Sequence, residues 1–418
     1  MSAVDTPRES GAIVPGDSTG GTPGSVLIVT PAWARDGGVG AHVRASAEIL
    51  AGRGVRVSVV TARIDGAAGA TGVKLFEIPQ LYKMGASITA ELREALTCEP
   101  DVIHLHEVDD PQLVNAIGAT APVVISAHGY TACTSGVYYF GPGEECTRGH
   151  GLGCIPNLVA RGCAHTRYPK TLPVKFRDAT RALRVLRRAD LAVSYSSSVD
   201  RHLAANKIVH RRVVPYVPTM TPMDGAGHAG RRRVVFAGRI VRPKGVDVLI
   251  RAACDVDAEF VVCGEGRELE DMRVLARNLG VEDRVRFTGW LDAGQLAQQL
   301  ADASVVVVPS LWPEPFGLVG IEALAAGRPV VASATGGIGD WLEDGVSGLS
   351  VPPGDAGLLA AALNELLADP ARQAEMGLAG KHAVQERFSP ERHAAVLLEA
   401  YEAARCIWRS RLEDHAIA

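Results

Sequence analysis

The chain has 418 residues, enough for two or three domains, and its 45 Gly and 24 Pro stay below the share that marks low-complexity sequence. A hydrophobic content of 47% fits a packed globular protein, and a formal charge of −4 supplies no overall positive field, so no nucleic-acid partner is expected. No run approaches the roughly 20 apolar residues of a spanning helix, and residues 1–24 read as a disordered tail without the pattern of a secretory leader; a cytoplasmic protein, at most peripheral on the inner membrane face, is expected.

The first periodic unit runs from Ser25–Thr30 (SVLIVT) through the Gly-rich loop Asp36–Gly40 to a helical pattern over Ala41–Gly54, then back to Val55–Thr61. Strand, turn, helix, strand is the signature of a parallel βαβ unit. Short strands follow at Val102–His106, Val123–Ala127 and Leu191–Tyr195, and Val213–Thr219 leads into a polar stretch from Met220 to Gly230. A second alternating series has strands at Val234–Ala237, Phe260–Gly264, Arg284–Thr288, Ser304–Pro309 and Pro329–Ala332, with helical patterns at Val246–Ala253 and Leu269–Leu279. The economical reading is α/β, with two Rossmann-like doubly wound parallel-sheet domains over residues 25–217 and 218–389. A final helical segment, 390–418, carries Val396, Leu397, Leu398, Tyr401, Ile407 and Trp408 and is expected to dock on the folded body.

Between Ala127 and a helix near Val174 lies an insertion, 129–173, far longer than an ordinary strand-to-helix loop. It holds Cys133, Cys146, Cys154 and Cys163, with twelve, seven and eight residues between them. These are candidates for a structural zinc site, with His150 or His165 as substitute ligands, or for a labile bridge or reduced thiols. Cys98, Cys254, Cys263 and Cys406 sit in apolar segments and read as small core residues. From Arg161 to Arg188 there are nine Lys or Arg against Asp178 alone, read either as a solvated helix face or as a surface for anionic lipid or an anionic acceptor.

The strongest chemical signal is Leu311–Ser333 (LWPEPFGLVGIEALAAGRPVVAS). A strand ends at a Pro-containing loop with Glu314, and a helix opens near Gly317; its unpaired first amides and its dipole suit a phosphate. Glu314 before the helix and Glu322 more than one turn inside it can flank that anion from different depths, each accepting hydrogen bonds from sugar hydroxyls. Phe236–Leu249 (FAGRIVRPKGVDVL) ends another strand and sets Arg239 and Lys244 on the following turn, two cations able to neutralise a departing diphosphate. Each motif is weak separately; together, at the carboxyl ends of strands in one doubly wound half, they point to a ligand site. GGVGAHV and GEGREL both fail the G-x-G-x-x-G spacing, which disfavours the alternative of a nicotinamide-dependent dehydrogenase. The four charged side chains argue against a noncatalytic nucleotide-sugar-binding protein.

With the GGVG loop, His128–Gly129, AGRIVRPKGVDVLI, VVCGEGRELE, FTGWL, EPFGLVGIE and TGGIGDWLEDGVSGLSVPPGD, the sequence over roughly residues 25–410 resembles the retaining GT-B glycosyltransferases of glycosyltransferase family 4 (glycosyl transferases group 1). The resemblance implies two Rossmann-like domains facing a cleft, no required metal, and a terminal helix crossing back to the first domain. A nucleotide-sugar donor, UDP- or GDP-linked, would be held mainly by the second domain. The acceptor hydroxyl, on a small metabolite, natural product or lipid-linked glycan, would be held mainly by the first. Arg239 and Lys244 would bind the donor diphosphate, Glu314 would orient the transferred sugar and Glu322 the ribose. Amides of Phe316, Gly317, Leu318 and Val319 would meet sugar or phosphate, Gly38 and Gly40 would let the first-domain loop approach, and the base would lie near Gly264, Glu265 and Trp290. His128 would stand close to the transferring sugar. His104 and His106 read as near-site or packing residues, and Glu107 as a weak general-base candidate.

Overall fold

The computed structural model describes residues 23–34, 38–65, 72–79, 90–108, 110–133, 137, 145–161, 163, 169–223 and 232–417; nearly all of the expected tail, and His165, lie outside them. Among the described residues, β1 (Ser25–Thr30), β2 (Arg56–Thr61), β3 (Val73–Glu77), β4 (Val102–His106), β5 (Val123–Ala127), β6 (Leu191–Ser194) and β7 (Arg211–Val213) form one sheet in the order β3-β2-β1-β4-β5-β6-β7. A second sheet contains β8 (Arg233–Ala237), β9 (Glu259–Cys263), β10 (Val285–Gly289), β11 (Val305–Val308), β12 (Val330–Ser333) and β13 (Gly348–Val351), in the order β10-β9-β8-β11-β12-β13. Every strand pairing in both sheets is parallel. Helices cover both faces of such sheets, which is why a central strand such as β11, VVVV, is apolar at every position and fully buried.

The strand order reverses beside β1 in the first sheet and beside β8 in the second. Connections leave the two neighbouring strands in opposite directions there, opening a crevice at their carboxyl ends. The loops after β8 and β11 carry Arg239, Lys244 and Glu314, so the fold itself brings those segments together. Strands β3, β7 and β13 have no counterpart in the sequence reading. Each is an edge strand, and β3 and β7 are partly or fully exposed along their length, so they lack the apolar run that marks the interior strands.

The helix Gly38–Gly52 buries Val43, Ala47 and Leu50 against β1. The helix Leu318–Ala325 is apolar nearly all round and sits between the second sheet and the helix Pro370–Arg387. Gly320 lets it pack: a Cβ there would fall 2.2 Å from the Trp341 ring. The final helix, Pro390–Ile417, returns to the first sheet. His393 holds Ser46 Oγ (2.9 Å) and the Pro215 carbonyl (2.7 Å), Tyr401 OH meets His104 Nδ1 (2.8 Å), and Trp408 donates to the Gly118 carbonyl (3.0 Å). Across the cleft, the Asp340 carboxylate accepts from Ser197 N and Oγ (2.7 and 2.6 Å), completing the N-terminus of the helix Ser197–Ala205 with a favourable negative charge. No helix among the described residues is long and apolar enough to cross a membrane.

Candidate active site

After β8 the chain makes a short turn through Arg242–Lys244 that ends at Gly245, whose φ is 67°. A side chain there would place its Cβ 1.9 Å from the Pro309 carbonyl oxygen, so only glycine lets this turn press against the loop after β11. Leu311 N donates to the Pro243 carbonyl across the contact (2.8 Å). The result is a pairing that spacing could not show: Lys244 Nζ lies 2.7 Å from Glu314 Oε1. Ser310 Oγ donates to the same oxygen at 2.5 Å. Glu314 is 2% exposed, and an ammonium plus a hydroxyl compensate the buried carboxylate.

Lys244 also lines a cavity of about 460 Å³ between the two halves. Of the residues expected in the site, Gly38, Arg239, Gly264, Trp290, Leu318, Val319 and Glu322 line it as well. Arg239 is exposed and forms no ion pair among the described residues. Burial raises the Glu322 carboxyl above its ordinary range, and Glu322 Oε1 accepts from Thr219 Oγ1 at 2.8 Å. Trp290 is 59% exposed, an aromatic face left open at the cavity wall. Leu318 and Val319 open their helix, so amides without an intrahelical partner border the space.

Other expected residues sit behind or beside that wall. Gly40 packs on Ala34, and Gly317, the N-cap of the helix Leu318–Ala325, packs on Trp341. Phe316 is buried between Tyr216 and Phe388, its carbonyl accepting from Trp341 Nε1 at 2.6 Å. Glu265 accepts from the Trp290 amide at 3.5 Å and so steadies that turn. Thr219, Met220, Leu291, Leu296 and Ser310 were missed by sequence reasoning. Ser310 was findable as a polar residue just past a buried parallel strand, where ligand crevices form; the others carry no chemical signature.

His128 follows β5 but does not line the cavity. Its Nε2 lies 2.9 Å from His106 Nδ1, its Nδ1 lies 3.0 Å from Tyr216 OH, and its ring stacks on Tyr195. His104 bridges Tyr401 OH and Ser126 Oγ, both at 2.8 Å. Burial pushes both His104 and His128 down to about 3, so these imidazoles are neutral hydrogen-bonding groups at neutral pH. Beside them His42 is fully buried, with neither ring nitrogen hydrogen-bonded among the described residues. Glu107, just past β4, holds φ at 53°, a strained conformation for a residue other than glycine.

Of the residues expected to hold zinc, the four cysteines and His150 are among the described residues and His165 is not. Cys133, Cys146, Cys154 and Cys163 are free thiols, and among the described residues no three or more His, Cys, Asp or Glu side chains are arranged to hold a metal ion. Cys133 Sγ accepts from the Val137 amide (3.3 Å), and Cys154 Sγ donates to the Gly149 carbonyl (4.0 Å). Burial, with the other three thiols nearby, pushes the Cys163 thiol up to about 11. His150 bonds Thr180 Oγ1 through Nε2 at 2.8 Å, and its buried Nδ1 has no hydrogen-bond partner among the described residues.

Comparison with known proteins fits this architecture. Residues 36–219 match the model of Glycosyltransferase Family 4, and residues 226–383 match that of Glycosyl transferases group 1. A D-inositol 3-phosphate glycosyltransferase of Arthrobacter sp. is 36% identical over 229 residues, 52% of this chain and 53% of that protein. A GDP-mannose-dependent alpha-(1-6)-phosphatidylinositol monomannoside mannosyltransferase of Mycolicibacterium smegmatis is 36% identical over 184 residues, 41% of this chain and 48% of that one. The chain thus spans about half the length of the curated relatives it matches. Sucrose-phosphate synthase from Thermosynechococcus elongatus superposes with a TM-score of 0.67 at 24% identity, covering 90% of this chain and 98% of that chain. Matched in both halves by these family models and built from two facing parallel-sheet domains, the chain belongs to glycosyltransferase family 4 and has the GT-B fold.

Proposed function

We propose that the protein is a retaining, hexosyl-type glycosyltransferase that moves a sugar from a nucleoside diphosphate sugar, UDP- or GDP-linked, to a hydroxyl of a small metabolite, natural product or lipid-linked glycan. One observation carries this reading: Arg239, Lys244, Glu322 and the tip of the helix Leu318–Ala325 converge on a single cavity where the strand order reverses. The cations and the helix tip suit a diphosphate. Glu322, held by Thr219, suits the ribose hydroxyls, and Trp290 offers a flat face to a base. In this reading Glu314 orients the sugar and, through its contact, holds the Lys244 ammonium in place where negative charge builds on the leaving phosphate.

Retention follows a front-face path in this reading. The acceptor hydroxyl attacks the anomeric carbon on the side from which the diphosphate departs; the bond to the diphosphate oxygen breaks as the new glycosidic bond forms, and the departing oxygen takes the hydroxyl proton. The protein positions the partners and stabilises charge without a covalent nucleophile.

A thermal-shift panel of UDP, GDP, their sugars and NAD tests the proposal. One nucleoside diphosphate and its sugar should raise the melting temperature, with a stabilisation of about 2.7 kcal/mol at a hundredfold excess over Kd. Stabilisation by NAD alone, or by none of the panel, would refute it.

A further inference from the structure

We propose that the basic helix Leu172–Leu186, with the segment packed against it, is a docking surface for an anionic lipid bilayer. This rests on surface chemistry alone and is independent of the sugar or acceptor.

The helix buries Ala179, Leu183 and Leu186 on one face and Val185 at its flank. Helical spacing puts Val174, Arg177, Arg184 and the following Arg188 on the opposite face, where all four are exposed. Among the described residues Arg177 pairs with its neighbour Asp178, and Arg184 and Arg188 form no ion pair. A chain with a net charge of −4 therefore presents one concentrated positive face. Such a face draws an anionic surface toward itself within about one Debye length.

Charge alone would suit any polyanion, but the neighbouring segment adds an apolar component. His150 is held by Thr180 (2.8 Å) and packs on Phe176, which fixes the chain just before Leu152 and Ile155 against the helix. Leu152 is 79% exposed and Ile155 51%, and Val174 on the helix itself is 46% exposed. Large apolar side chains standing clear of the body beside a row of arginines have no task on a sugar-phosphate backbone. At a bilayer the cations meet headgroups while the apolar tips enter the acyl boundary.

Co-sedimentation of the full chain with vesicles of phosphatidylcholine alone, or with phosphatidylglycerol added, decides the matter. Retention is expected on the anionic vesicles only, weakening as salt is raised. Arg184→Glu with Arg188→Glu should lower partitioning at least tenfold, since one cation near such a surface is worth about fivefold. Leu152→Ser with Ile155→Ser should remove the binding that survives at high salt, with melting temperatures unchanged for both variants. No preference for anionic vesicles would overturn the proposal, as would retention unaffected by either variant. Equal binding to soluble heparin that ignores the Leu152→Ser/Ile155→Ser change would overturn it in favour of a polyanion groove.

Discussion

Lys244→Ala separates two roles that the geometry assigns to one ammonium. Lys244 is 23% exposed at its side chain and Glu314 only 3%, with 2.7 Å between the charged atoms. Removing the cation leaves Glu314 Oε1 with Ser310 as its partner among the described residues, a nearly uncompensated buried charge. Breaking such a pair costs about 3–5 kcal/mol, and the partial exposure of Lys244 puts this one near the lower end, about 3 kcal/mol. Loss of a cation from the leaving group should independently slow transfer by about 100- to 1000-fold. The two effects separate in a double-mutant cycle with Glu314→Gln, which abolishes the orphaned charge. Nucleoside diphosphate release at saturating donor and acceptor gives the rate, and thermal melting of the same samples gives the stability. In the Glu314→Gln background, Lys244→Ala should cost little stability yet still slow transfer by about 100-fold. If it slows transfer less than about tenfold there, Lys244 serves only as the counter-ion of Glu314 and the leaving-group role is wrong.

Gly320→Ala should destabilise the second domain by about 1–3 kcal/mol, because the new Cβ would lie 2.2 Å from the buried Trp341 ring. An unchanged melting temperature would show that the indole can move freely, contrary to its bond to the Phe316 carbonyl. Acid should weaken the first domain. His104 and His128 are held near 3 and His393 near 4, against an ordinary value of 6.5, so below pH 6.5 the unfolded chain binds more protons than the folded one. Their stabilisation is complete above that pH and falls as pH drops toward 4, by about 1.4 kcal/mol per unit for each imidazole. Urea unfolding at pH 7 and pH 5 measures this, and equal stabilities would contradict buried neutral histidines.

Much of the architecture was legible because parallel strands advertise themselves. SVLIVT and SVVVVP are apolar at nearly every position, and each is followed by glycine or proline and then by a helical period. Edge strands do not: β3, VKLFE, is half-exposed with charges at two of five positions and resembles any polar loop. The site was legible to the extent that its residues lie at the carboxyl ends of strands, as Arg239, Lys244 and Glu314 do. The Lys244–Glu314 contact was not, because it spans 70 residues and depends on Gly245 approaching Pro309. His128, His106 and Tyr216 were separately visible, but their mutual bonds depend on how β4, β5 and the linker after β7 come together.

The backbone passes between the two halves twice, once after β7 and once between Arg387 and Pro390. The bond from His393 to the Pro215 carbonyl ties these passages side by side. Bodies joined at two neighbouring points have one easy motion, rotation about the line through them, while sliding and twisting strain both tethers. Widening the cleft would then be a jaw-like swing whose amplitude grows with distance from that axis, and it must part Ser197 from Asp340 and Tyr130 from the Glu314 carbonyl, contacts that hold the jaws together.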